Sequence, residues 1–140
     1  MSYLYVESSA LVRALTEGDG ALAMRIVAAR RAVTSALTRL EVARALARKA
    51  EDRSFSRDLL EAAQGRLALF AEAAGRIPVS EEILAEAASR FPVEPVRTVD
   101  AIHLASCILL QRRAGKTVVA TVDNRVRANA LALGMAVLPE

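Results

Sequence analysis

Four acids stand apart from the other carboxylates of the chain, because each lies among apolar residues at a predicted strand end or early in a predicted helix. They are Glu7, Glu41, Asp100 and Asp123. Glu7 directly follows the apolar run at positions 3–6. A carboxylate placed just after a buried strand loses its hydration unless something binds it. Glu7 is therefore the acid that a structural role explains least well.

The other three acids each have a structural explanation as well as a functional one. Glu41 stands three residues after Thr38, which is the spacing of a helix capping box. Asp100 follows Thr98, a predicted helix cap, and a carboxylate in a first helical turn is favoured by the helix dipole. Asp123 can be an N-cap. Taken singly, these explanations are preferred; taken together, the four acids predict one shared site.

Short apolar strands alternate with helical patterns along the chain, which indicates a mostly parallel sheet covered by helices. The acids are positioned by the helices that follow the strands. Ser8 or Ser9 is predicted to cap the first helix, which Gly18 and Gly20 break, and Ser35 is predicted to open the helix that carries Glu41. The predicted strands span residues 3–6, 32–34, 77–79, 117–122 and 135–138.

The carboxyl ends of parallel strands meet at one edge of a sheet, where ligands bind in open α/β folds. Four carboxylates that converge there repel one another and require a cation. Oxygen ligands without a Cys or His cluster indicate Mg²⁺ or Mn²⁺. Because Mg²⁺ is held by few carboxylates, room remains for a substrate phosphate, which a metal-activated water can attack.

Composition sets limits on the classes of function. The chain has 140 residues, the size of a single domain over residues 1–140, and a formal net charge of +3. Of its 19 cationic side chains only Lys49 and Lys116 are Lys, so 17 are Arg, the residue that suits bidentate phosphate contacts. Candidate phosphate contacts lie near the acids, although solvated surface positions explain each of them equally well: Arg13, Arg39, Arg97, Arg125 and Arg127.

Several classes of protein are not indicated. The single cysteine, Cys107, cannot form an internal disulfide. A secretory signal pattern is lacking, and no uncharged apolar stretch reaches the length of about 18 residues that a membrane span needs, so a cytoplasmic protein is expected. The single histidine, His103, lies one helical turn after Asp100, and a packing role with one satisfied nitrogen is preferred to a catalytic role.

Four segments carry a resemblance to a known family. They are YLYVESSALVRAL, TSALTRLEVARAL, RTVDAIHLASCILL and VVATVDNRVRANALALGMAVL. In their order and approximate spacing they resemble the PIN-domain ribonucleases, and within these the VapC-type toxins of VapBC toxin–antitoxin modules. The segments cover about half of the chain, and residues 50–91 match only as generic helix.

The resemblance implies a three-layer α/β/α domain with a central, mostly parallel sheet of about five strands. It implies an endoribonuclease that depends on Mg²⁺ or Mn²⁺, with a VapB-type antitoxin, an RNA substrate and a second copy of the chain as partners. Ser9 and Thr121 match hydroxyl residues that orient the site. The metal-site acids that the resemblance implies are Glu7, Glu41, Asp100 and Asp123.

Glu7 departs from the family pattern, in which the first acid is normally Asp. The extra methylene moves the carboxylate by about 1.5 Å, whereas Mg²⁺ demands near-ideal geometry. A second hypothesis is therefore a catalytically impaired PIN-like domain that binds RNA or a protein partner. A third, a phospho-receiver domain, ranks low because such domains place a Lys just after a late strand, whereas Lys116 precedes its strand.

Overall fold

The computed structural model describes residues 2–17 and 20–140, which form a five-stranded sheet between two layers of helices. All four strand pairings are parallel, and the strand order is β3-β2-β1-β4-β5. The strands are β1 (Tyr3–Val6), β2 (Ala32–Ser35), β3 (Gly75–Ile77), β4 (Thr117–Ala120) and β5 (Ala136–Leu138). The parallel sheet of about five strands predicted from the sequence is confirmed.

The helices cover both faces of this sheet. They are α1 (Ser8–Thr16), α2 (Gly20–Ala28), α3 (Thr38–Lys49), α4 (Arg57–Ala73), α5 (Glu81–Ala87), α6 (Thr98–Ala114) and α7 (Asn124–Ala132). Leu4 and Val6 of β1 pack in one core cluster with buried residues of α1 to α4. Tyr5 points to the opposite face and packs with residues of α6 and α7. Because side chains alternate between the two faces of a strand, β1 contributes to the cores on both sides of the sheet, and the three-layer architecture is confirmed.

The first strand lies at the centre of the sheet. Beyond β1 the chain adds β2 and β3 on one side, and then crosses to add β4 and β5 on the other. The point where the strand order reverses is thus the gap between the carboxyl ends of β1 and β4, where open α/β sheets bind ligands. Glu7 donates its backbone N–H to the carbonyl of Ala120 over 2.9 Å, which places Glu7 and Thr121 side by side at this point.

Helix α6 is buried along most of its length, because it packs on the sheet while α5 and α7 pack on it. Every residue from Ala101 to Cys107 is buried, including His103. This explains why its sequence is apolar on several sides instead of along one stripe. Truncating the fully buried Leu104 to Ala is expected to cost about 2–5 kcal/mol of unfolding free energy.

Three predicted helix starts are wrong, each for a local reason. Neither Ser8 nor Ser9 caps α1, because Glu7 is itself the N-cap and its side chain accepts the Ser9 N–H. Ser35 ends β2 instead of opening α3; its hydroxyl accepts the N–H of Leu37 and stabilises the turn between them. Thr98 is the first residue of α6 and not its N-cap. The N-cap is Arg97, whose side chain makes no capping hydrogen bond.

Other boundaries also differ from the prediction. Gly20 begins α2 instead of breaking a helix, and Gly18 lies outside the described residues. The third strand covers Gly75–Ile77 and not 77–79, because it pairs in register with β2 as Val33↔Gly75 and Ser35↔Ile77. Strand β4 ends at Ala120, two residues early, and the N–H of Val122 donates to the Ser9 hydroxyl of α1 instead of to a neighbouring strand. Among the described residues, no helix is long and apolar enough to cross a membrane.

Candidate acidic active site

Glu7 is buried at the carboxyl end of β1 and is held by three donors. Its Oε2 accepts the backbone N–H of Ser9 over 3.1 Å and the hydroxyl of Thr121 over 2.8 Å. The Ser9 hydroxyl donates to the same oxygen. These bonds replace the hydration that a buried carboxylate loses, and they therefore compensate the desolvation cost of Glu7 that the sequence indicates. All three of these bonds end on Oε2, so none of them uses the other oxygen, Oε1.

Ser9 and Thr121 also tie the two neighbouring strand ends together. The Ser9 hydroxyl accepts the N–H of Val122 over 3.0 Å, and the Thr121 hydroxyl accepts the N–H of Asp123 over 3.1 Å. The structure therefore places both predicted hydroxyl residues against Glu7. They fix the spacing between the residue that follows β1 and the residues that follow β4.

Glu41 lies in the first turn of α3 and has different partners. Its Oε1 accepts the Ser8 hydroxyl over 2.7 Å and lies 2.6 Å from Nε2 of His103. Burial raises the pKa of Glu41, but the hydrogen bond and charge of His103 and the hydrogen bond from Ser8 outweigh burial, so the pKa is lowered overall. Glu41 is therefore a pre-oriented, ionised carboxylate.

Asp100 and Asp123 form the other side of the site. Asp123 is the N-cap of α7, and its Oδ1 accepts the N–H groups of Arg125 and Val126, both over 2.9 Å. The predicted cap role of Asp123 is confirmed, and its second oxygen is not used in these bonds. Asp100 lies in the first turn of α6.

The pKa of Asp100 reports on its neighbours. Burial raises this pKa, and the charges of Asp123 and Glu7, and less strongly Glu41, raise it further, while His103 opposes the change. Asp123, Glu7 and Glu41 are thus each near enough to Asp100 to act on its ionisation. Across residues 2–17 and 20–140, no Arg or Lys makes an ion pair with Glu7, Asp100 or Asp123.

The carboxylate oxygens of the site are the ligands that a hard divalent cation prefers, and the geometry limits how many of them one ion can bind. Among the described residues, no three His, Cys, Asp or Glu side chains stand close enough together to hold one ion. Mg²⁺ in proteins needs only one or two carboxylates, because water and substrate phosphate complete its shell. Asp100 and Asp123 can supply these two carboxylates, because Asp123 is the charge that raises the pKa of Asp100 most, and Glu7 adds a third negative charge.

The five predicted phosphate-binding arginines have mixed surroundings. Arg13 is paired with Glu17 at 3.2 Å. Arg125 and Arg127 donate to the backbone carbonyls of Glu94 and Pro139. Arg39 lines an open groove between α3 and α4, and Arg97 is exposed at the N-cap of α6. Their role in phosphate binding stays a prediction.

Reasoning from the sequence missed a buried hydrogen-bond network. His103 was expected to have one satisfied nitrogen, but both are engaged: Nδ1 lies 2.7 Å from the Tyr5 hydroxyl, and Nε2 reaches Glu41. Tyr5 is 98 residues away along the chain, so no local pattern reveals the contact. The available signal was the histidine one turn after Asp100, on an otherwise apolar helix.

Comparison with known proteins bears on the whole of this arrangement. The family model for the PIN domain matches residues 4–131. The chain belongs to the PIN-domain family. It is 36% identical over 140 residues to Ribonuclease VapC46 of Mycobacterium tuberculosis (strain ATCC 25618 / H37Rv), with 99% of this chain and 98% of that protein covered. It is 34% identical to Ribonuclease VapC35 of M. tuberculosis (strain CDC 1551 / Oshkosh), with 96% and 95% covered. Within the PIN family, the chain groups with the VapC-type ribonucleases.

Two solved structures share the fold. The protein in the structure of FitAB bound to IR36 DNA fragment aligns with a TM-score of 0.65 and 16% identity, covering 96% of this chain and 93% of that one. PAE2754 from Pyrobaculum aerophilum aligns with a TM-score of 0.58 and 20% identity, covering 91% and 84%. At these identities the two structures support the PIN fold alone.

Proposed function

We propose that this PIN-domain protein is a metal-dependent endoribonuclease and acts as the VapC-type toxin of a type II toxin–antitoxin pair. The observation that carries the proposal is the placement of Glu7 and Asp123 after the neighbouring strands β1 and β4, where the strand order reverses, without an Arg or Lys ion pair to either acid in the part of the chain that the structure describes. The raised pKa of Asp100 supports this gathering of acids. The similarity to Ribonuclease VapC46 supports RNA as the substrate. We place one such domain over residues 1–140.

Each acid has its own role in the proposed reaction. Asp100 and Asp123 would hold Mg²⁺ or Mn²⁺, which would supply Lewis-acid stabilisation for the charge that develops on the phosphate oxygens, and Glu7 adds negative charge beside them. Glu7 is kept in place by Ser9 and Thr121, and Asp123 by the first N–H groups of α7. Glu41 stays ionised and can accept a proton from the attacking water. The products are two RNA fragments, formed by hydrolysis of one phosphodiester bond.

The test is cleavage of a panel of RNAs with Mg²⁺ and with Mn²⁺. Asp100→Asn is expected to lower the rate by more than about 100-fold, because it removes a charge that holds the cation. Asp58→Asn is the matched control, since Asp58 is an exposed acid in the first turn of α4. Equal cleavage by the wild type and Asp100→Asn would show that the assigned site is wrong.

A second candidate function is a catalytically impaired domain that binds RNA or a protein partner. Two points favour it: the resemblance implies Asp at the position of Glu7, and among the described residues no three donors stand together around one ion. Glu7→Asp separates the two candidates. Metal-dependent cleavage that appears only in Glu7→Asp would support impairment, whereas an active wild type rejects it.

Exposed apolar side chains support the proposed protein partners. Met24 and Val27 of α2 and Leu40 of α3 are 73%, 85% and 61% exposed. An open groove of about 420 Å³ lies between α3 and α4, with Leu40 and Phe70 in its lining. We propose that a cognate VapB-type antitoxin and a second copy of the chain cover such surfaces, and that the protein acts on cytoplasmic RNA. Light scattering of the chain with and without its co-expressed antitoxin tests both partners.

A further inference from the structure

His103 connects the core of the protein to the acidic site. It lies on α6 with no exposed surface, and the Tyr5 hydroxyl lies 2.7 Å from its Nδ1. Its Nε2 lies 2.6 Å from Oε1 of Glu41, on the helix layer across the sheet. One imidazole thus spans the distance between the central strand β1 and the first turn of α3.

A packing role alone does not explain this arrangement. An apolar side chain would fill the same space without burying two ring nitrogens, whose desolvation must be compensated by hydrogen bonds. Both nitrogens of His103 are satisfied by residues far away in sequence, and Tyr5 is buried as completely as the ring itself. The rings of Tyr5 and His103 meet edge to face, with centroids 6.0 Å apart, so the position of the imidazole is fixed by packing as well.

The direction of these hydrogen bonds follows from the acceptor. An ionised carboxylate can only accept, so Nε2 of His103 carries the hydrogen that is donated to Glu41. Burial raises the pKa of Tyr5 well above its usual value, so the phenol keeps its proton, and its hydroxyl oxygen lies 2.7 Å from Nδ1 of His103 as a hydrogen-bond partner. Ser8 donates to the same Oε1 of Glu41 over 2.7 Å. Because both donors meet at Oε1, the second oxygen of Glu41 is held in one direction.

We propose that His103, braced by Tyr5, is a positioning residue that fixes the Glu41 carboxylate in the acidic site. This inference rests on the proposed function, because it assigns Glu41 to RNA hydrolysis. His103 touches neither substrate nor cation in this proposal; it acts through Glu41. Side chains that orient a site carboxylate in this way commonly contribute about 10–100-fold to metal affinity or activity.

The experiment compares four variants of the full chain. His103→Leu removes both hydrogen bonds and keeps apolar bulk, whereas His103→Gln keeps an amide N–H that can reach Glu41. Tyr5→Phe removes only the brace. Tyr3→Phe is the matched control, because Tyr3 lies two residues away on β1, where it stacks with Arg31 instead of facing the site. The readouts are the His103 tautomer from nitrogen-15 NMR, Mn²⁺ affinity by calorimetry, and kcat and KM for RNA, with circular dichroism as the check of folding.

The expected results separate positioning from simple packing. In the wild type, Nε2 of the His103 ring carries a hydrogen. His103→Leu weakens Mn²⁺ binding and lowers kcat by about 10–100-fold with a nearly unchanged KM. His103→Gln recovers most of that loss, Tyr5→Phe shows a smaller loss in the same direction, and Tyr3→Phe matches the wild type. If His103→Leu fails to fold, Tyr5→Phe and His103→Gln decide between the two roles.

The proposal and the proposed function fail in different ways. A wild-type ring without a hydrogen on Nε2 overturns the positioning role, and so does a folded His103→Leu variant with wild-type Mn²⁺ affinity and kcat. Equal losses in His103→Gln and His103→Leu also overturn it, because they indicate packing alone. If the wild type cleaves no RNA, the proposed function fails, and the tautomer still decides whether His103 orients Glu41.

Discussion

The two sides of the acidic site are built on opposite principles. On one side Glu41 is hydrogen-bonded by His103 and Ser8, and its pKa is lowered. On the other side Asp100 is raised in pKa by burial and by the charges of Asp123 and Glu7. One carboxylate is stabilised by hydrogen bonds from the protein, while the other is destabilised by neighbouring negative charge. The proposed function places the ion between Asp100 and Asp123, where it would relieve that repulsion.

Added cation is expected to give the largest of the effects that distinguish the two sides of the site. A cation that binds only the folded state at 1,000 times its Kd adds about 4.1 kcal/mol to the free energy of unfolding. Asp100→Asn removes one of its ligands, and each tenfold loss of affinity subtracts about 1.4 kcal/mol from that gain. Thermal unfolding with Mn²⁺ and with EDTA measures the gain. An undiminished gain in Asp100→Asn, with Asp58→Asn as the control, would place the ion elsewhere.

In the metal-free protein, removing the charge of Glu41 and removing the charge of Asp100 are expected to change the free energy of unfolding in opposite directions. In EDTA, Glu41→Gln loses hydrogen bonds to a charged acceptor and is expected to lower the free energy of unfolding by about 1.5–3 kcal/mol. Asp100→Asn is expected to be neutral or stabilising, because it relieves repulsion from Asp123 and Glu7. Chemical denaturation of the metal-free proteins measures both. A destabilised Asp100→Asn variant would contradict the account of that side.

The dependence on pH is the smallest of the three effects, and its sign also differs between the two sides. The folded-state pKa of Asp100 is raised, so the cost of ionising it is fully present above that pKa and fades as the pH falls toward its unfolded value. In EDTA, any gain in the free energy of unfolding of Asp100→Asn over the wild type should therefore become smaller as the pH falls. The folded-state pKa of Glu41 is lowered, so its contribution is present above the unfolded pKa and is lost as the pH falls through the folded one. Denaturation at pH 3 to 7 tests whether the two differences change in this way.

The sequence was most informative where local chemistry decides the structure. The acids and the strand–helix alternation were visible because apolar runs such as the one before Glu7 end at polar residues. The third strand was misplaced by two residues, since Gly75 and Arg76 of this edge strand are exposed and give no apolar signal. The caps of α1 and α3 were wrong because serines near a helix start also bond elsewhere, as Ser8 does with Glu41.

The contacts that distinguish the two sides of the site were not predictable. His103 meets Tyr5 and Glu41 across 98 and 62 residues, and periodicity reports which face a residue occupies but not which distant side chain it meets. The same limit applies to Glu7, whose longer side chain looked like a defect. In the folded chain it is the N-cap of α1 and is bound by Thr121.

The most direct test of the central claim is a crystal structure of the protein soaked with Mn²⁺, with the ion located by its anomalous scattering. The account predicts an ion bound by Asp100 and Asp123 beside Glu7, with Glu41 still held by His103. An ion bound elsewhere, or acids left without an ion in a protein that cleaves RNA in Mn²⁺, would contradict it.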